Sequence, residues 1–154
     1  QSGRYPIVIG SRRRDLAACV VFYGASQQRD WNVSGLQPRP MQEMMGSLSA
    51  PALFVFGERD HTISLADVRR TRDALEEGRC SYRMKIFRDM PHGWLNDTMP
   101  GRYRAKEAAE AWSVLLEFLD GVFSGAWPGK GEVRWEFEGA SAADYDFSKN
   151  VRLQ

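Results

Sequence analysis

Two stretches of this chain are apolar almost without interruption, and each ends in glycine: Leu16-Ala17-Ala18-Cys19-Val20-Val21-Phe22-Tyr23-Gly24 and Ala50-Pro51-Ala52-Leu53-Phe54-Val55-Phe56-Gly57. They are too short for buried helices and lack the alternation of a half-wet strand. Runs of this kind are buried on both faces, as strands of a parallel sheet covered by helices. A third strand is expected over Tyr82–Phe87, where Arg83 and Lys85 interrupt the apolar residues in the alternation of a sheet edge.

Helical patterns separate these runs. Leu65–Glu77 places Leu65, Val68, Thr71 and Leu75 near one face and is followed by Gly78. Arg102–Phe123 predicts the longest helix, with a stripe of Ala105, Ala108, Ala109, Trp112, Leu115, Leu116 and Leu119. Residues 1–13 predict a helix that starts near Pro6, since proline is tolerated only at a helix start. Residues 25–50 read as a long excursion with a short helix around Met41–Met45. Strand, helix, strand, helix is the order of a layered α/β domain. Three parallel strands alone would leave a bare apolar edge, so further sheet is expected from elsewhere. Beyond Phe123, the stretch Ser124–Gly131 reads as a linker. Glu132–Glu138 alternates as a short strand or an extended arm. The expected division is therefore a body over 1–123 and an extended tail over 124–154 that packs on it.

Charge excludes several partner classes. The chain has 154 residues, 43% hydrophobic and 27% charged, with a formal net charge of +1. A near-neutral balance makes no electrostatic case for nucleic acid or a membrane surface. No apolar run approaches the roughly 20 residues of a spanning helix. Gln1–Pro6 lacks the apolar core of a secretory signal. Cys19 and Cys80 are expected to be free thiols, and a cytoplasmic location follows from that. A homodimer is left open.

Chemistry-bearing residues are few. Gly57-Glu58-Arg59-Asp60 follows the second apolar run, and Asp89-Met90-Pro91-His92-Gly93-Trp94 follows the third. In open α/β sheets, sites lie at the carboxyl ends of the strands. An acid there can hold a neighbouring imidazole in one tautomer and steady its positive charge. Asp60 taken alone also fits a turn or helix-cap role, and His61 reads as a loop residue. No metal-ligand spacing supports a site from His61, Asp60 and His92, and no cofactor motif occurs. No Gly-x-Ser-x-Gly or Gly-x-Cys-x-Gly is present. Ser47 and Ser49 lead into a strand rather than out of one, Cys19 is mid-strand, and Ser26 remains a candidate nucleophile after the first run.

In order and spacing, three segments resemble the dienelactone hydrolase family of the α/β-hydrolase fold: Ala17–Gly24, Ala50–Asp60 and Met90–Trp94. The resemblance spans roughly residues 1–123 and implies an α/β-hydrolase-type parallel sheet with flanking helices, of which this chain is the C-terminal part. It implies that Gln1-Ser2-Gly3 lies just past the nucleophile elbow, so that a Cys or Ser nucleophile precedes Gln1 on an upstream segment. It assigns Asp60 as the triad acid, His92 as the general base, and the Gln1 backbone N–H as an oxyanion donor. Tyr23 and Trp94 fall at the substrate pocket. The implied substrate is a small ester or lactone, attacked through an acyl-enzyme. The arginine that the family places beyond its histidine is Asn96 here, with Arg102 and Arg104 nearby. That change bears on the identity of the substrate more than on the chemistry. Two other readings share the same residues. One is a hydrolase-derived binding or scaffolding module without a nucleophile, and the other is a serine peptidase or acyltransferase of the same fold.

Overall fold

The computed structural model describes residues 2–35, 37–127 and 132–137. Four parallel strands form one sheet in the order β1-β2-β3-β4: Cys19–Phe22, Ala52–Gly57, Tyr82–Phe87 and Val133–Phe137. The helices are α1 Tyr5–Gly10, α2 Met41–Gly46, α3 Leu65–Glu77 and α4 Ala105–Phe123. The helix expected over 1–13 is shorter: a 3-10 turn over Ser2–Arg4 leads into α1, with Pro6 in its first turn.

The two apolar runs are strands because both of their faces are covered. Every residue of β2 is buried. Phe54 and Phe56 point into a layer with Met41, Met45, Val68 and Leu75, from α2 and α3. Leu53 and Val55 point the other way, against Ala111, Val114 and Phe118 of α4. The register sets Val21 beside Phe54, and Phe54 beside Met84. Ser64 caps α3 by accepting the Asp67 N–H at 3.1 Å, so the helix starts where its apolar face starts.

β3 is not the edge that its alternation suggested. β4 pairs with it in parallel and covers it. Arg83 and Lys85 are each 7% exposed, on the face turned toward α4. Arg83 donates to Glu136 of β4 at 2.6 Å and to Glu117 of α4 at 2.9 Å. Lys85 donates to Glu110 at 2.8 Å. The cations alternate because a helix carboxylate row and a strand carboxylate lie above them, not because that face meets water.

The buried stripe of α4 is Ala108, Ala111, Val114, Leu115 and Phe118. Trp112 and Leu116, expected inside, are 54% and 64% exposed. The helix carries two adjoining apolar stripes, and periodicity cannot rank them. The sheet takes the one on which Ala108 and Ala111 permit close approach.

Burial also shapes the response to alkali. The Tyr82 hydroxyl donates to Glu76 at 2.6 Å, and burial, with that carboxylate second, pushes its pKa far up. Burial likewise raises both free thiols, Cys19 and Cys80. In the unfolded chain these groups ionise near their ordinary values of about 8.5 for Cys and about 10 for Tyr. Above those values the unfolded chain binds fewer protons than the folded one. The stabilisation is complete below pH about 8 and is lost as pH rises. Urea midpoints should therefore fall between pH 8 and pH about 10.5, and Tyr82→Phe should flatten the upper part of that fall. A midpoint constant over this interval would contradict the assignment.

Candidate functional site

Asp60 and His92 meet at the carboxyl end of the sheet. β2 ends at Gly57, and a tight turn brings Asp60 round, its N–H 3.4 Å from the Gly57 carbonyl. One carboxylate oxygen, Oδ1, accepts the N–H groups of Thr62 at 2.7 Å and Ile63 at 3.0 Å. The other, Oδ2, lies 2.8 Å from Nδ1 of His92. The turn role and the imidazole-holding role thus occupy different oxygens of one side chain. Asp60 is 1% exposed, whereas the His92 side chain is 25% exposed. With Nδ1–H donated to a carboxylate, Nε2 is the nitrogen that can exchange a proton.

The loop carrying His92 leaves β3 through Asp89, whose φ is 59°, and passes Gly93 with φ 82°. Gly57 fits beneath it, since a side-chain carbon at that position would run into the Met90 carbonyl. Tyr23 closes one side of His92. Its N–H donates to Val55 at 2.7 Å, and its ring lies 5.1 Å from the His92 ring and 5.2 Å from Trp94. Burial, and then the Asp60 charge, raises the Tyr23 pKa, so its hydroxyl stays protonated and able to donate. Backbone strain is concentrated here: Tyr23 and Ala25 have φ of 37° and 65°. Trp94 is wholly buried behind Tyr23, against Phe87 at 5.6 Å, and its indole N–H has no partner among the described residues.

The start of the chain reaches the same end of the sheet. Gly3 packs backbone to backbone on Gly24, so closely that neither could carry a side chain. Gln1 itself lies outside the described residues. His61 sets its ring edge-on to His92, with centroids 5.9 Å apart. Among the described residues no group of side chains could hold a metal ion. Ser26 is fully buried, sharing its hydroxyl with Thr71 at 2.7 Å, which removes it as a nucleophile. Asn96 is occupied by its own turn, its Oδ1 accepting from the Thr98 N–H and hydroxyl at 3.1 Å and 2.7 Å. Glu58, to which the sequence pattern assigned nothing, is 4% exposed. What marks it is burial two residues before Asp60, and burial is not visible in a string of letters.

One hollow borders these elements and a second lies away from them. A cleft of about 480 Å³ beside Asp60 is lined by His61, Thr62, Ser64, Asp67, Arg70 and Gln28. A larger one, about 1220 Å³, lies at the opposite end of the strands, among Arg14, Ser47, Ser49, Arg79, Cys80 and Ser81. It lies away from the Asp60–His92 pair, which the smaller cleft reaches through Asp60.

A parallel sheet with flanking helices is the architecture of an α/β-hydrolase fold, and the chain forms part of one. The fold matches the crystal structure named "Putative Dienelactone Hydrolase" from Klebsiella pneumoniae with a TM-score of 0.68 and 23% identity, over 75% of this chain and 46% of that one. Residues 3–123 match the model of the dienelactone hydrolase family, to which the chain belongs. It is also similar to proteins named "Putative carboxymethylenebutenolidase". That of Escherichia coli K12 is 26% identical over 117 residues, or 76% of this chain and 42% of that protein. That of Salmonella typhi is 25% identical over the same shares. The chain thus spans less than half the length of the relatives it matches. Among the described residues, no helix is long and apolar enough to cross a membrane.

Proposed function

We propose that this chain, joined to the polypeptide preceding Gln1, hydrolyses a small ester or lactone through an acyl-enzyme. The observation that carries the reading is the 2.8 Å contact between Asp60 and His92 at the carboxyl end of the strands. The packing of Gly3 on Gly24 adds weight, because it directs the start of the chain to that same end. A Cys or Ser immediately before Gln1 attacks the carbonyl carbon, and His92 Nε2 takes its proton. The backbone N–H of Gln1 is one donor to the oxyanion. His92 then returns the proton to the departing alkoxide as the carbon–oxygen bond breaks. Water, deprotonated by the same nitrogen, releases the acid and restores the nucleophile. In this reading Tyr23 borders the substrate beside His92, and Trp94 supports the Tyr23 ring from the core. Asn96 offers no cation, so the reading commits to an ester or lactone without requiring a carboxylate on it.

Two surfaces support an upstream segment. Among the described residues no strand pairs with the outer edge of β1, and Trp112, Leu116 and Phe123 leave an apolar face of α4 uncovered beside Phe22, whose ring is 6.2 Å from Trp112. The free thiols of Cys19 and Cys80 support a reducing compartment.

The test is to quench the protein, with its upstream segment, during turnover of a chromogenic short-chain ester and to map the acyl group by peptide mass spectrometry. The expected adduct is on the residue preceding Gln1. An adduct elsewhere would overturn the assignment of the nucleophile. No turnover and no adduct would favour the scaffolding reading, and turnover of the matching amide would favour a peptidase.

A further inference from the structure

The turn that carries Asp60 and the loop that carries His92 are laced together one step short of the two functional side chains. The Glu58 N–H donates to the Phe87 carbonyl at 2.9 Å, and the Arg59 N–H donates to the Met90 carbonyl at 3.1 Å. The Glu58 carboxylate, 4% exposed, reaches across and accepts the Asp89 N–H at 3.1 Å. The Arg59 and Asp89 side chains pair at 2.8 Å, but both are 47% exposed, so that pair adds little.

Asp89 is where the loop turns. Its φ of 59° lies in the left-handed region, which Asp enters more readily than most residues with a side chain but still at a cost. The Glu58 carboxylate binds the one backbone donor of that strained residue, three positions before His92. We propose that Glu58 is a positioning residue: by holding the Asp89 N–H it sets the turn that places His92 Nδ1 on Asp60. A buried acid is costly to keep. A shorter polar side chain on the same turn would not reach the neighbouring loop. An error of about 1 Å in such a geometry costs on the order of 10²-fold in rate.

The functional half of this inference rests on the reading of Asp60 and His92 as the catalytic couple, so the test uses a signal that needs no turnover. In the full protein, the proton on His92 Nδ1 should give a separate low-field NMR resonance. Glu58→Met fills the volume without an acceptor and should broaden or abolish that resonance, lowering kcat on the order of 10²-fold while leaving KM within a few-fold. Glu58→Gln keeps an acceptor oxygen and should restore both. An unchanged resonance in Glu58→Met would overturn the proposal. Should that variant not fold, hydrogen exchange in the unmodified protein decides: a slowly exchanging Asp89 amide supports the proposal, and one as fast as open loop amides overturns it. Absence of ester hydrolysis in the unmodified protein would count against the proposed function, and the resonance would still decide the part played by Glu58.

Discussion

Replacing His92 with alanine, in the protein with its upstream segment, is expected to lower kcat/KM for a short-chain ester by about 10⁴-fold, equivalent to about 5.5 kcal/mol of transition-state stabilisation. Among the described residues the His92 imidazole is the ring held by a buried carboxylate, with its other nitrogen left to take a proton. Asp60→Asn should cost a similar factor for a different reason. The asparagine carbonyl can still accept the Thr62 and Ile63 N–H groups, so the turn survives. Its amide would present an N–H to His92 Nδ1 and favour the tautomer whose proton sits on Nε2, where a base must be free. Alanine at position 60 would confuse this loss with loss of the turn. Both variants should keep a thermal midpoint near that of the parent, measured by circular dichroism. Equal hydrolysis by parent and His92→Ala would show that the couple takes no part in turnover.

Phe54→Ala is expected to cost about 3–5 kcal/mol of folding stability, the range for emptying an aromatic site in a packed core. Phe54 has no exposed surface, and its ring stacks with Phe56 at 6.2 Å and 16°. Its neighbours across the sheet, Val21 and Met84, are held by the strand ladders and cannot close the gap. Val33→Ala provides the comparison. At 61% exposed it should change stability by no more than about 0.5 kcal/mol. Urea unfolding of both variants measures the difference. A loss below about 1 kcal/mol for Phe54→Ala would mean that the two layers are far looser than this packing.

Some of this architecture was legible before any coordinates. β1 and β2 stand out because a strand buried on both faces must be apolar at every position, and α3 because its apolar period and its terminal glycine agree. Other elements are ambiguous in the sequence for identifiable reasons. The alternation of Arg83 and Lys85 suggests a sheet edge because a sequence does not record which strand pairs beyond them or which carboxylates lie overhead. The stripe on α4 was placed through Trp112 and Leu116 because two adjoining apolar rows satisfy the same period. Glu132–Glu138 permitted a strand or an arm, and only the ladder to β3 makes Val133–Phe137 a strand.

The candidate site divides in the same way. An acid after one strand and a histidine after the next were visible as residues, because short-range patterns of apolar runs and glycine-ended turns are written locally. Their contact at 2.8 Å and the hold of Glu58 on Asp89 are distances between segments about thirty residues apart. The sequence by itself determined the first three strands, most of the helices and the parallel layering, since burial and periodicity are encoded position by position. Only the tertiary structure decided which charges are covered, which face of α4 is spent on the sheet and how the two loops are laced. Those outcomes depend on which surfaces meet, and that depends on the whole chain.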